Sequence, residues 1–133
     1  MSVASELSAQ AVVEQLYAAV QQGDLEGFAA LLADDVVLVE PAWHPVPGEW
    51  HGPTAVIQAL NDLGRTLGLR GVRVEKVIAD GETVLGFVEI TCTNSRGETL
   101  VMPLIERWTV SGGKARRVMP FYHDTATLAA HCA

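Results

Sequence analysis

Two glutamates stand where the surrounding pattern is apolar, and a carboxyl group held among apolar side chains is a candidate for acid–base chemistry. Glu40 ends the run Val36, Val37, Leu38 and Val39, whose β-branched composition reads as a strand that Pro41 stops. Alternate side chains of a strand share a face, so Glu40 points the way Leu38 does. Glu106 interrupts the more apolar face of a later strand, between Leu100, Met102 and Leu104 on one side and Trp108 and Val110 on the other. Two acids in one apolar cavity are both desolvated and repel each other's charge, so at least one is expected to keep its proton near neutrality. The ionised acid then removes a proton, and the neutral one donates a hydrogen bond to the developing oxyanion.

Other residues add to this pair or compete with it. Trp43 and Trp50 flank a proline-rich loop and are expected either to cover a planar ligand or to pack the loop on the sheet. His44 is an acid–base partner for Glu40 on spacing. With His51 it makes no metal signature, because the two stand seven positions apart across Pro45, Pro47 and Gly48. Tyr122 shares an inner face with Val118 and Pro120, as pocket wall or oxyanion donor. Tyr17 either reaches the pocket or packs between helices. Leu38, Val88, Met102 and Trp108 complete the expected substrate-binding walls. Cys92 lies inside a strand pattern and reads as an inert buried thiol.

The elements that would position these residues follow from period and punctuation. Residues ~5 to 22 read as an amphipathic helix with Val13, Leu16, Tyr17 and Val20 at i, i+3, i+4 and i+7. Gly23 ends it, and Asp24 caps a short second helix with Leu25, Phe28, Leu31 and Leu32 on its inner face. Asp34 and Asp35 form the turn into the strand that ends at Glu40. After the loop WHPVPGEWHG, Pro53 opens a third helix that buries Val56, Leu60, Leu63 and Leu67. From Val72 the period becomes that of strands. Val72, Val74 and Lys76 alternate with Arg73, Glu75 and Val77, and Asp80-Gly81 marks a hairpin. A strand over Thr83 to Asn94 carries Val84, Gly86, Val88, Ile90 and Cys92 inward. Strands over Thr99 to Val110 and Ala115 to Tyr122 follow, with Arg116-Arg117 a solvated pair and Asp124 capping a terminal helical turn through Leu128. Helices followed by a run of strands predict one α+β domain over residues 1–133: a cone-shaped, curved antiparallel or mixed sheet wrapped around the N-terminal helices, with an internal apolar pocket.

Composition narrows the function classes. With 133 residues the chain is one domain with a real core. Its net charge of −7 and nine Lys and Arg suit neither nucleic acid nor an anionic membrane surface. No apolar run approaches the ~20 residues of a membrane span. The start MSVASELSAQ has no positive cluster ahead of an apolar core, and the two cysteines, Cys92 and Cys132, make no disulfide framework, so a reduced cytoplasmic protein is expected. Phe87, Val101 and Ile105 would leave apolar area on the outer sheet face, which predicts a homodimer. A small hydrophobic molecule is the expected partner, and two acids call for no metal or cofactor.

The segment GDLEGFAALLADDVVLVEP, the helix entry HGPTAVI and the closing VSGGKARRVMPFYHD resemble the SnoaL-like polyketide cyclase and ketosteroid-isomerase-like group of the nuclear-transport-factor-two-like superfamily, from about Val12 to Leu128. The resemblance implies a cone-shaped fold that hosts isomerases, cyclases, epoxide hydrolases, dehydratases and binding modules. It places Glu40 where ketosteroid isomerase has its base and Glu106 where that enzyme has its protonated, hydrogen-bond-donating acid, the neutral acid of that isomerase's oxyanion hole. The family's oxyanion tyrosine corresponds to Leu16, with Tyr17 ~100° of helix away. The tyrosine and asparagine of the limonene-epoxide-hydrolase-like pattern correspond to Leu38 and Glu40, and its acid on the last strand to Pro120. The implied activity is cofactor-independent proton abstraction next to a carbonyl. The alternatives are a binding module of the same fold, or epoxide opening or dehydration by the same acids.

Overall fold

The computed structural model describes residues 7–133. The predicted helix start near residue 5 lies outside them; α1 runs over Ala9–Gln22, with the Ser8 hydroxyl accepting from the Ala11 amide and Gly23 closing the helix at φ 69°. A positive φ is open to glycine without a Cβ clash, which is why the helix ends there. The inner face is Val12, Val13, Leu16, Tyr17 and Ala19, while Val20, expected inside, is 40% exposed. Asp24 caps α2 (Leu25–Ala30) as predicted, and of its expected inner face Phe28 is buried and Leu25 exposed.

β1 spans Leu32–Glu40, so Asp34 and Asp35 lie within a strand, not in the expected turn. α2 delivers the chain directly into the sheet, and the shift of pairing register between Leu32 and Val37 absorbs the two aspartates. Arg116, expected to be solvated, donates to Asp35 Oδ1 at 2.8 Å and to the Ser111 hydroxyl at 2.6 Å. The predicted loop after Pro41 contains a second strand, β2 (Gly48–His51), which pairs antiparallel with the end of β1 and sets Gly48 opposite Glu40. Four residues following two prolines are too short to show a strand period. α3 (Pro53–Leu67) starts on its proline and buries Val56, Ala59, Leu63 and Leu67.

β3 (Leu69–Asp80), β4 (Thr83–Thr93), β5 (Thr99–Ser111) and β6 (Lys114–Tyr122) form an antiparallel meander, and α4 (Thr125–Cys132) is longer than the single turn expected. β1 joins β6 in parallel, giving a curved, unclosed six-stranded mixed sheet in the order β2-β1-β6-β5-β4-β3. A bulge between Val74 and Lys76 shifts the alternation of β3 by one residue, so Val77, and not Lys76, joins Val72 and Val74 against the core. The sheet curls over α1 and α3, and the α+β cone predicted from the order of elements is the architecture observed. Among the described residues no helix is long and apolar enough to cross a membrane.

Candidate active site

A cavity of about 130 Å³ lies between the concave face of the sheet and the helices. Engineered apolar cavities of ~150 Å³ take up benzene, so the enclosed part holds about one ring. Val20 of α1 and Leu69 of β3 line it while remaining more than a third exposed, which places the mouth between α1, α3 and β3. A longer ligand would extend there. The wall is apolar except where Glu40, Glu106, Tyr17 and Tyr122 meet it.

Glu106 is a half-buried residue whose carboxyl meets the cavity. It projects from the middle of β5, opposite Gly86 on β4 and Pro120 on β6. The Tyr17 hydroxyl donates to Glu106 Oε1 at 2.8 Å, and the Trp108 indole N–H, two residues along β5, donates to the same hydroxyl at 2.9 Å. Ring edge meets ring face between Tyr17 and Trp108 at 5.9 Å. Burial raises the carboxyl pKa of Glu106, and the Tyr17 hydrogen bond opposes this in part. Burial first, and then the neighbouring Glu106, pushes the Tyr17 phenol above its ordinary range, so it remains a donor. Gly86 makes the arrangement possible: a Cβ there would overlap the Tyr17 hydroxyl.

Glu40 ends β1 and is 5% exposed. The Tyr122 hydroxyl, at the end of β6, donates toward both of its oxygens, at 3.1 and 3.3 Å. Burial and then the charge of Glu106 push the Glu40 carboxyl up to about 8, against the lowering effect of Tyr122. The Tyr122 phenol is itself raised by burial and by both glutamates. His44 sits behind this pair, 3% exposed, its ring 4.8 Å from that of Tyr122. It does not line the cavity. Its Nδ1 accepts the Val46 amide at 2.9 Å and its Nε2 lies 3.9 Å from Glu40 Oε1. Burial lowers its pKa to about 4, leaving a neutral ring.

Of the residues expected to touch a ligand, Tyr17, Leu38, Val88, Trp108, Val118 and Tyr122 line the cavity with the two acids. The others are placed elsewhere. Trp43 is 82% exposed on the loop after β1, so it is no lid over this cavity. Trp50 packs from β2 against the core, and Met102 is buried outside the cavity wall. His51 is exposed beside Glu49, facing different surroundings from His44. The sequence reading placed Gly86 inward and Leu60, Leu63 and Leu67 in the core but gave no site role to Gly86 beside Tyr17 or to the α3 wall, Leu60, Leu63, Gly64 and Leu67. A helix face that lines a cavity and one that fills a core carry the same i, i+3, i+4 signal.

The SnoaL-like domain model matches residues 13–118. The chain belongs to the SnoaL-like family. No curated protein matches its sequence. Among solved structures, TerC co-crystallised with polyporic acid is 25% identical, with a TM-score of 0.80 over 94% of this chain and 98% of that one. A nuclear-transport-factor-two-like protein of Burkholderia thailandensis is 22% identical, with a TM-score of 0.85 over 96% of this chain and 98% of its own. A Mesorhizobium loti protein described as a SnoaL-like polyketide cyclase is 23% identical, with a TM-score of 0.72 over 87% of this chain and 100% of its own. These last two likenesses establish the nuclear-transport-factor-two-like fold for this SnoaL-like domain.

Proposed function

We propose that this SnoaL-like domain catalyses proton abstraction next to the carbonyl of a neutral, largely apolar compound, an isomerase or polyketide-cyclase type of reaction. The observation that carries the reading is that two carboxyls, each hydrogen-bonded to a tyrosine hydroxyl, open onto one apolar cavity. Glu40 is the base. With its pKa pushed up to about 8, its ionised form is a stronger proton acceptor than an ordinary carboxylate and is populated increasingly above neutrality. Glu106, whose carboxyl pKa burial also raises, donates in its protonated form to the substrate oxygen as charge develops on it, while Tyr17 and Trp108 hold its position. Among the described residues none that lines the cavity is Lys or Arg, so an anionic substrate would meet acids without a counter-charge. The reaction needs no cofactor, because the base and the donor are both side chains. TerC's co-crystal with polyporic acid supports a ligand cavity in this fold.

Solvent exchange tests this without the natural substrate. The protein is incubated in D₂O with a panel of single-ring ketones and enones, and deuterium incorporation beside the carbonyl is followed by NMR. Wash-in by the native protein that is lost in Glu40→Gln, with ligand binding retained, is the expected result. Binding without exchange by the native protein would leave a small-molecule-binding module, and opening of an epoxide panel would move the same acids to another reaction.

We also propose a homodimer through the outer sheet face, where Val101, Ile105 and Phe121 are exposed and Phe87 is half-buried. Light scattering of Ile105→Lys against the native protein tests it; an unchanged mass would rule that face out.

A further inference from the structure

The His44 ring is buried with one nitrogen satisfied and the other not. Nδ1 accepts the Val46 amide, so the neutral ring carries its proton on Nε2, and among the described residues that N–H has no hydrogen-bond partner. A buried donor left alone is costly, and such groups in a folded protein call for an explanation. Here the group that faces it is Glu40 Oε1 at 3.9 Å, too far for a hydrogen bond and about 1 Å from one.

Glu40 is held loosely on its other side. One Tyr122 hydroxyl serves both carboxyl oxygens at 3.1 and 3.3 Å, whereas an O–H donating to a carboxylate approaches to ~2.5–2.7 Å. These long contacts fit an uncharged carboxyl. Its ionised form has more to gain from a second donor, and the donor within reach is His44.

We propose that His44 is a positioning residue for Glu40: its Nε2–H takes one oxygen of the carboxylate when Glu40 loses its proton, so that Tyr122 and His44 hold the base between them. The inference rests on Glu40 being the base and goes beyond it by assigning what the buried histidine of the loop after β1 does. The loop is suited to this. The His44 amide donates to the Pro41 carbonyl at 3.0 Å, and β2 then pairs with β1 as far as Glu40, which fixes the ring relative to the strand end. The titratable groups around the pair are Tyr122 of β6, which touches both, and Glu106 of β5, whose charge acts on Glu40. Tyr122 stays protonated throughout. The His44 ring, neutral above pH 5, keeps its one donor over the whole range in which Glu40 titrates.

The test is NMR of the ¹⁵N-labelled imidazole and the ¹³C-labelled glutamate carboxyls between pH 5 and 10. In the native protein the His44 Nε2–H proton should move downfield with the same midpoint as Glu40, and in Glu40→Gln it should stop moving. In His44→Phe the Glu40 midpoint should rise by about one pH unit, since a hydrogen bond to a charged group is of that size. A raised Glu40 midpoint with a His44 proton that never moves overturns the proposal while leaving Glu40 as base. An ordinary Glu40 midpoint overturns both. The native-protein measurement decides the matter even if His44→Phe does not fold.

Discussion

The two ends of the polar wall are built differently. On β5, Glu106 sits mid-strand with Tyr17 and Trp108 in a chain of short hydrogen bonds that holds one of its oxygens. At the other end, Glu40 ends its strand with one long, shared bond from Tyr122 and an unmet donor 3.9 Å away on His44. A group that must hold still while charge builds on a ligand suits the first setting. One that must lose and regain a proton suits the second, where a neutral and an ionised form can both be accommodated. The difference lies in the fold: a mid-strand residue is flanked by two hydrogen-bonded neighbours, whereas a strand-end residue is bounded by a loop.

Breaking the loose end should have the largest effect on activity. Glu40→Gln keeps shape and loses the base, and deuterium exchange should fall about 10²–10⁴-fold with little change in ligand affinity. Breaking the tight end should show first in stability. Gly86→Ala drives a methyl group into the Tyr17 hydroxyl and should destabilise the fold by about 1–3 kcal/mol in urea unfolding. Tyr17→Phe orphans both the Trp108 N–H and the Glu106 carboxyl and should cost a similar ~1–3 kcal/mol. Tyr122→Phe removes one long bond and should cost about 1 kcal/mol or less, while raising the Glu40 midpoint above about 8. Equal losses from the two tyrosines would erase the contrast.

Stability against pH sharpens it further. Glu40 has a folded pKa raised from 4.5 to about 8, so between these values the native state binds more protons than the unfolded chain and stability falls as pH rises. His44, lowered from 6.5 to about 4, acts the other way: its share is lost as pH falls below 6.5. Between about 6.5 and 8 the Glu40 effect is therefore unopposed by His44, and unfolding free energy should drop by up to about 1.4 kcal/mol per pH unit for its one proton. Glu40→Gln should flatten that slope. A slope that survives the substitution would assign it to Glu106, whose raised pKa acts in the same direction.

Both acids were legible because strand alternation is local: Leu38 and Glu40, like Leu104 and Glu106, share a face whatever the rest of the chain does. Tyr17 was ambiguous because the inner face of α1 is wide enough for a pocket or a helix contact, and the choice was made by Gly86, 69 positions further on, which leaves room for its hydroxyl. The aromatic lid failed for a related reason. Trp43 and Trp50 stand near Glu40 in sequence, but β2 pairing turns one onto the core and leaves the other in solvent. Lys76 was placed inward because a bulge is invisible to simple alternation.

The sequence by itself determined the order of helices and strands, the caps at Asp24, Asp124 and Gly23, and the inward direction of the two glutamates, since all of these rest on contacts within a few residues. Only the tertiary structure decided which tyrosine serves which acid, that His44 stands behind Glu40, and how large the cavity is. Each depends on atoms brought together from β1, β5, β6 and α1, and those distances are set when the sheet curls, not by any local preference of the chain.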